Sequence, residues 1–504
     1  MRTTTDVLII GGGPTGLALA RDLARDLARR GIDHRVLDRA PGPSTASRAK
    51  TVQPRTLEVL DDLGVVDRLL AQGAVHVPTR HYDRDQVRSE ALEAAIGMAA
   101  PGVPYAPLWL SQPLVEQALR DRLAEDGGQV GWATEVTGLV RYDDAVEVTA
   151  GGEVIRARYV VGADGGRGTV RRQVGVGMRG DSYATHRWWL GDVRITGLDR
   201  TCQHLWMSPE HGILSIFPLP STDLWQFQAS VPADDADPVQ PNLALFRDLL
   251  AAHAGLPGVT VDDADWLSLY KINVCLADRY RVDRVFLAGD AAHIHSPAGG
   301  QGMNTGIQDS YNLGWKLAAV LAGADAALLD TYEAERRPVA RAVLDDSTAR
   351  LHTVMDAATQ GDGSAAQRGL TGDFTTGLTI AYPDSPITGS GSDGDLVRPG
   401  DRAPDAGLAA AGGPVRIFDL LRGPHWTVLT FGDADPAPAP AGTPVYRIDR
   451  SATGSDTLID TTGDAHRTYG VEAPTSMLIR PDGYLATRTT HAADAAAATS
   501  SSTR

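Results

Sequence analysis

The apolar run Val7–Ile10 passes straight into Gly11-Gly12-Gly13-Pro14-Thr15-Gly16 and then into a segment rich in Ala and Leu. Strand, G-x-G-x-x-G turn and helix in immediate succession constrain the fold more than any other feature, because they open a Rossmann-like α/β unit. Gly11, Gly13 and Gly16 permit a tight turn and the close approach of a pyrophosphate, which then rests on the positive end of the helix. Alone, the pattern serves more than one dinucleotide and also arises by chance. Gly175-Val176-Gly177-Met178-Arg179-Gly180 matches it too, but has no strand before it and no apolar helix after it. It reads as a loop.

Asp38 closes the first unit, at the end of the strand His34–Leu37, where an acid binds the hydroxyls of an adenosine ribose. It arrives slightly later than the general spacing of roughly 20 residues. The reason is a repeat, Arg21-Asp22-Leu23-Ala24 followed at once by Arg25-Asp26-Leu27-Ala28. The insertion is little more than one helical turn, so Leu19, Leu23 and Leu27 stay nearly in phase and the helix overshoots the sheet by ~6 Å.

A second strand, Val285-Phe286-Leu287, runs into Ala288-Gly289-Asp290 and then into a glycine-rich turn from Pro297 to Asn304. Asp290 can accept hydrogen bonds from a polyol. The turn, with Gly300, Gly302 and Met303, presents backbone N–H groups at the start of a long helix from about Thr305, where partial positive charge gathers. Such a site suits a ring that becomes anionic on reduction.

This segment resembles the second FAD motif of the FAD-dependent aromatic hydroxylases, and the resemblance continues between the two ends. Ser47-Arg48-Ala49-Lys50 with Pro54-Arg55-Thr56-Leu57-Glu58 is similar to the stretch that implies an arginine, here Arg48, along the flavin. Gln112, opening the helix Pro113 to Leu123, matches a glutamine that meets the ribityl chain, and Val136 a position whose backbone faces adenine. Tyr159 to Gly165 resembles the Asp-Gly motif, which ties Asp164 and Gly165 to both FAD and NAD(P)H. Gly166-Arg167-Gly168 departs there from the more usual Ala-Arg-Ser. Each motif alone has a plain reading: Asp164-Gly165 as a turn, Gln112 as a solvated helix start. Their order over residues 6 to 304 carries the argument.

Other residues invite chemistry without supporting it. His293 and His295 have an H-x-H spacing, but no carboxylate or cysteine cluster accompanies them, so they are expected to shape the loop and no metal is expected. Trp188, Trp189, Trp206, Phe217, Trp225 and Phe227 lie in alternating segments and read as sheet core.

The motifs place an FAD-binding domain over 1–78, 105–180 and 281–355, and a β-sheet substrate domain over 79–104 and 181–280, with a helix near Pro241 to Ala254. Residues 356–398, rich in Gly, Ser, Asp and Thr, read as a linker. A third domain, 399–488, has strands at Trp426 to Phe431 and Val445 to Ile448, a helix near Thr462 to Tyr469 and a hairpin turning at Pro481-Asp482-Gly483. It resembles the thioredoxin-like domain that ends phenol-hydroxylase-type flavoenzymes, with Pro474 where that fold often has a cis proline. No cysteine follows Cys275, so thiol redox is excluded and a packing or homodimer role is expected. The tail, 489–504, is expected to be disordered.

With a net charge of −16 over 504 residues, neither nucleic acid nor an anionic membrane is an expected partner. The first apolar stretch leads directly into the phosphate turn, which points to a cytoplasmic protein. The resemblance, over about residues 6 to 488, implies that NAD(P)H reduces FAD and that dioxygen then adds at the flavin C4a. The hydroperoxide passes one oxygen to an aromatic substrate, a polycyclic polyketide or phenol. A substrate base is not identifiable. A Baeyer-Villiger oxygenase or a ligand-sequestering flavoprotein remains open at this level, and the lysine and Trp-x-Trp-x-Ile-Pro pattern of flavin halogenases is lacking. The purified protein is expected to be yellow with noncovalent FAD. Folded protein that neither releases FAD on denaturation nor takes it up would contradict this.

Overall fold

The computed structural model describes residues 2–30, 32–91, 101–232, 235, 237–296, 299–360, 373–392, 394–451 and 457–490. They fall into two compact units, Met1–Gly97 with Tyr105–Gly377, and Met98–Pro104 with Leu378–Arg504.

The first unit holds a mainly parallel sheet ordered Arg281–Val282, Val285–Leu287, Glu153–Gly162, Arg2–Ile10, His34–Leu37, Val130–Gly131. A hairpin, Val136–Arg141 with Val146–Ala150, joins it antiparallel to Glu153–Gly162. Val7, Leu8, Ile9, Val160, Val161, Val285 and Phe286 are all buried, the continuous apolar signature of strands covered on both faces. Ile10 pairs with Leu37 on one side and Gly162 on the other, and Gly162 pairs with Leu287. Four strands therefore end level, and Gly11, Asp38, Ala163 and Ala288 emerge side by side. In such sheets the ligand crevice lies beyond the carboxyl ends of the strands.

A second sheet in the same unit runs His293–Ile294, Thr260–Ala277, Met178–Thr196, Trp225–Ser230, Gly212–Pro218, Gln203–Ser208, Thr79–Asp83, Gln86–Ala91. Trp189, Trp206, Trp225 and Phe227 form its core with Phe246 of the helix Leu243–Ala254, as the alternation predicts. Trp188 and Phe217 are only half-buried. Ile294 pairs with Cys275, so the chain leaving Asp290 enters this sheet at once. Met178, Arg179 and Gly180 of the decoy glycine pattern begin the strand Met178–Thr196 and are not loop: a Cβ at Gly180 would lie 1.9 Å from the Val274 carbonyl of the paired strand.

The second unit has a sheet ordered Gly413–Arg416, Gly407–Ala410, Leu458–Ile459, Val445–Asp449, Thr427–Phe431, Thr475–Ile479, Leu485–Thr490. Its core includes Leu429, Phe431, Ile448, Tyr469 and Met477. The expected linker is structured at both ends. The helix Asp330–Gln360 covers its beginning, and Ile380, Tyr382 and Val397 are buried, with the Tyr382 ring tilted against that of Tyr484 at 4.4 Å between centroids. Apolar residues spaced among the glycines supply the burial that composition alone obscured. No cis peptide occurs among the described residues, so Pro474 lacks the isomer often found at its position. Thr489 and Thr490 complete the last strand, and the rest of the expected tail lies outside the described residues. No helix among those described is long and apolar enough to cross a membrane.

The helix Pro14–Arg30 contains both copies of the repeat. Leu19 and Leu23 are fully buried, whereas Leu27 is among the side chains not described. Arg25, from the second copy, lies in a charged network: its guanidinium donates to Asp22, and to Asp62 at 2.6 Å, while Tyr311 Oη donates to the same Asp62 oxygen at 2.7 Å. Arg25→Ala is expected to cost roughly 3–5 kcal/mol, the price of leaving a buried pair without its cation. Deleting Arg25 to Ala28 brings Arg29 to the vacated position and is expected to cost far less. Thermal melting of the two variants checks this, and equal losses would show that the repeat is held by more than Arg25.

Candidate active site

The glycines at the strand ends divide by what surrounds them. Gly11 has φ +118°, and a Cβ on it would lie 2.2 Å from the Ala163 carbonyl; a Cβ on Gly16 would lie 1.9 Å from the Gly11 carbonyl. These two build the turn. A Cβ on Gly13 would meet nothing within 4 Å, so the backbone at the start of the helix Pro14–Arg30 faces open space. Asp38 Oδ2 accepts from Gly12 N–H and Oδ1 from Ala40 N–H, both at 2.7 Å. A carboxylate has about four acceptor sites, so ribose hydroxyls can still be bound.

Beside Asp38 runs the segment Gly131 to Val136, with Thr134 N–H donating to the Asp38 carbonyl at 2.8 Å. Val136 is buried at the start of its strand. The Trp132 ring comes within 3.3 Å of where a Cβ on Gly12 would stand, on the Asp38 side of the glycine turn. Sequence reasoning missed Trp132; its only signal is its nearness to Val136. Gln112 opens the helix Gln112–Glu125 and donates to Glu116 Oε1 at 2.8 Å. Burial raises the Glu116 carboxyl, Gln112 and Arg120 oppose that, and Asp38 adds to it.

Asp164 uses one carboxylate oxygen within the protein and leaves the other without a hydrogen-bond partner among the described residues. Its Oδ2 accepts from Thr169 N–H at 2.5 Å and Val170 N–H at 3.0 Å, capping the short helix Thr169–Gln173, and its Oδ1 is buried. A Cβ on Gly168 would lie 2.1 Å from that Oδ1. Gly168, which departs from the more usual serine, thus makes room for the carboxylate that caps the helix. Gly165, with φ +79° and nothing within 4 Å of its Cβ position, is the open member of the pair.

Asp290 is accessible although protein surrounds it, and this loss of bulk solvent raises its carboxyl above the ordinary range, against the pull of His293 and Arg48. It is therefore reachable from solvent while flanked closely by protein. Tyr270 is pushed up to about 12 by burial and by Asp290, with Arg48 opposing, so Asp290, Arg48 and Tyr270 share one neighbourhood. Arg48 is exposed there. A Cβ on Gly302 would come 4.0 Å from Asp290 Oδ1, which puts the carboxylate at the start of the helix Gly302–Leu321. Gly300, with φ +63°, forms the turn before it, and Pro297 lies outside the described residues.

Met303 and Asn304 face inward. Asn304 accepts from Gln53 N–H at 2.8 Å and donates to the Thr51 carbonyl at 3.0 Å and the Gly300 carbonyl at 2.7 Å, bracing the turn. His293 Nε2 bonds Asp309 at 2.6 Å, His295 Nε2 bonds His293 Nδ1 at 2.6 Å, and Arg336 donates to Asp309 at 2.7 Å. Gly289 N–H donates to Asp309 at 3.1 Å, so this buried chain holds the Asp290 turn from behind. Burial works against the Asp309 charge, but His293 and Arg336 keep its carboxyl below the usual range.

The open backbone at Gly13 and Gly165 and the accessible carboxylate of Asp290 fit a long dinucleotide with an anionic middle and a hydroxylated chain. Comparison with known proteins agrees. Residues 4–347 match the FAD binding domain family, and residues 397–504 the C-terminal domain of aromatic-ring hydroxylases. The chain is 41% identical over 495 residues to a flavin-dependent monooxygenase of Mycobacteroides abscessus, covering 96% of this chain and 97% of that one. It is 36% identical over 519 residues to 6-methylpretetramide 4-monooxygenase of Streptomyces rimosus, covering 96% and 90%. Its fold is similar to that of aklavinone-11 hydroxylase in ternary complex with FAD and aklavinone, with a TM-score of 0.80, 27% identity and coverage of 97% and 96%. Kinship over nearly the whole length shows that this chain belongs to the FAD-dependent aromatic-ring hydroxylases and is an NAD(P)H-dependent monooxygenase.

Proposed function

We propose that this enzyme is a cytoplasmic hydroxylase of an electron-rich aromatic ring, in a polycyclic polyketide or phenol. The observation that carries the reading is the accessible carboxylate of Asp290 deep beside Arg48, at the level strand ends where the FAD motifs meet. FAD, when bound, supplies the hydride acceptor and the centre that activates dioxygen. Gly13 and the helix behind it receive the pyrophosphate, Asp38 the ribose, and Gln112 and Asp290 the ribityl hydroxyls. Gly165 and the N-terminus of Gly302–Leu321 line the remaining path. The second sheet excludes water and receives the substrate; its tie to the segment carrying Arg48 and the Trp109–Phe217 stack, 5.7 Å between rings, support that role. In the second unit, parallel Thr427–Phe431 and Val445–Asp449 beside antiparallel Thr475–Ile479 support the thioredoxin-like reading.

Substrate-dependent NAD(P)H oxidation across phenols and polycyclic quinones, with product mass spectrometry, tests the reaction. A product that gains one oxygen without ring opening is expected, whereas NAD(P)H oxidation with no oxygenated product in any case would refute it. Asp290→Ala should weaken FAD binding roughly tenfold or more, corresponding to about 1.5–3 kcal/mol for a hydrogen-bonded charged acceptor. Unchanged affinity by titration would remove Asp290 from the site. Gly13→Val fills space that the protein leaves open, so the apoprotein should melt within roughly 0.5 kcal/mol of wild type. Its FAD affinity should nonetheless fall at least about tenfold. Retained affinity would place the pyrophosphate elsewhere.

A further inference from the structure

Ser47, next to Arg48, is buried, and both polar atoms of its backbone are gripped by the second sheet. Its N–H donates to Asp192 Oδ2 at 2.7 Å, and its carbonyl accepts from the Gln226 side chain. Strand register explains how these groups come together. Asp192 stands opposite Gln226 on one side and Trp266 on the other, and Gln226 stands opposite Phe217. Cross-strand neighbours share a face, so one row crosses four strands and meets the segment 47–50. Within it the Trp266 indole N–H donates to Asp192 Oδ2, Lys50 Nζ donates to Gln226 Oε1 at 3.1 Å, and Lys50 Nζ also lies 3.6 Å over the Phe217 ring.

Asp192 and Gln226 are fully buried. A carboxylate there loses hydration that an apolar residue would not need, and Asp192 Oδ1 has no hydrogen-bond partner among the described residues. What the carboxylate provides is a charge-assisted hold on one backbone N–H, that of the residue preceding Arg48. We propose that the row Phe217, Gln226, Asp192 and Trp266 is a positioning device for Arg48, with Asp192 as its anchor, fixing the guanidinium in the flavin cavity.

The groups around Asp192 give this device a pH dependence. Burial raises its carboxyl to about 6, the Trp266 and Ser47 N–H groups oppose that, Asp265 adds to it and Lys50 opposes it. As pH falls through that value the carboxyl becomes neutral, its hold on Ser47 N–H weakens, and Arg48 is less well fixed.

The proposal rests on Arg48 lying beside the flavin, so Arg48 is varied in the same experiment. Full-length enzyme saturated with FAD is mixed anaerobically with NADPH or NADH, and both the bleaching of bound flavin and its visible circular dichroism are followed. Arg48→Ala and Asp192→Asn should each alter the dichroism and slow bleaching about tenfold, and the double variant should match Arg48→Ala within about twofold. The wild-type rate should fall below a pH near 6, and Asp192→Asn should lack that inflection. Multiplying effects, or an Asp192→Asn enzyme indistinguishable from wild type, would overturn the positioning role. No change in Arg48→Ala would instead remove Arg48 from the flavin site and the proposal with it. Should Asp192→Asn not fold, Gln226→Met releases the Ser47 carbonyl while keeping Asp192, and must show the same dependence on Arg48.

Discussion

Everything at the FAD crevice depends on backbone being allowed to touch backbone where parallel strands end. Gly11 against Ala163 and Gly16 against Gly11 leave no space for a Cβ, and a Cβ on Gly289 or Gly306 would stand 2.5 or 2.4 Å from the Thr15 side-chain Oγ1. These contacts fuse the first and second FAD motifs. They also bring the helices Pro14–Arg30 and Gly302–Leu321 together, with Ser310 Oγ donating to the Thr15 carbonyl at 2.6 Å. An added methyl group at any of these points would push the strand ends apart and misalign both positive helix ends.

Charge is then managed in two layers. Facing the crevice, Asp290 and Arg48 stay accessible for a ligand. Behind it, Arg336, Asp309, His293 and His295 form a buried chain whose shared carboxylate also takes the Gly289 N–H. That chain gives both histidines of the H-x-H spacing hydrogen-bond partners. His293 completes Asp309, and His295 completes His293, with burial holding the His295 imidazole well below its ordinary pKa. The front layer can respond to a cofactor because the rear layer fixes the turn that carries it.

The elements most legible in the sequence were those governed by local rules. The strand Val7–Ile10, the helix after Gly16, Asp38, the hairpin around Pro481-Asp482-Gly483 and the aromatic strands of the second sheet all lie where alternation and turn chemistry put them. Less legible were residues whose role depends on a distant partner. Asp164 also caps the helix Thr169–Gln173, a role visible only once Gly168 is seen to make room for its carboxylate. The segment after Leu378 looks like a linker until Tyr382 meets Tyr484. Trp132 carries no motif, and its closeness to Gly12 follows from Val130–Gly131 pairing with His34–Leu37.

The sequence by itself determined where the chain must turn, which strand ends carry glycine or carboxylate, and that a dinucleotide crevice results. Those properties follow from the reach of a few neighbouring backbone groups. Only the tertiary structure decided which of these groups face the crevice and which face inward. Asp192, Trp266 and the pair Phe217 and Gln226 come from well-separated parts of the chain, and nothing in their local sequence marks them as a set. They become one row because strand pairing has a fixed register and a side-chain period of two, so a shift of a single residue would turn the whole set to the opposite face.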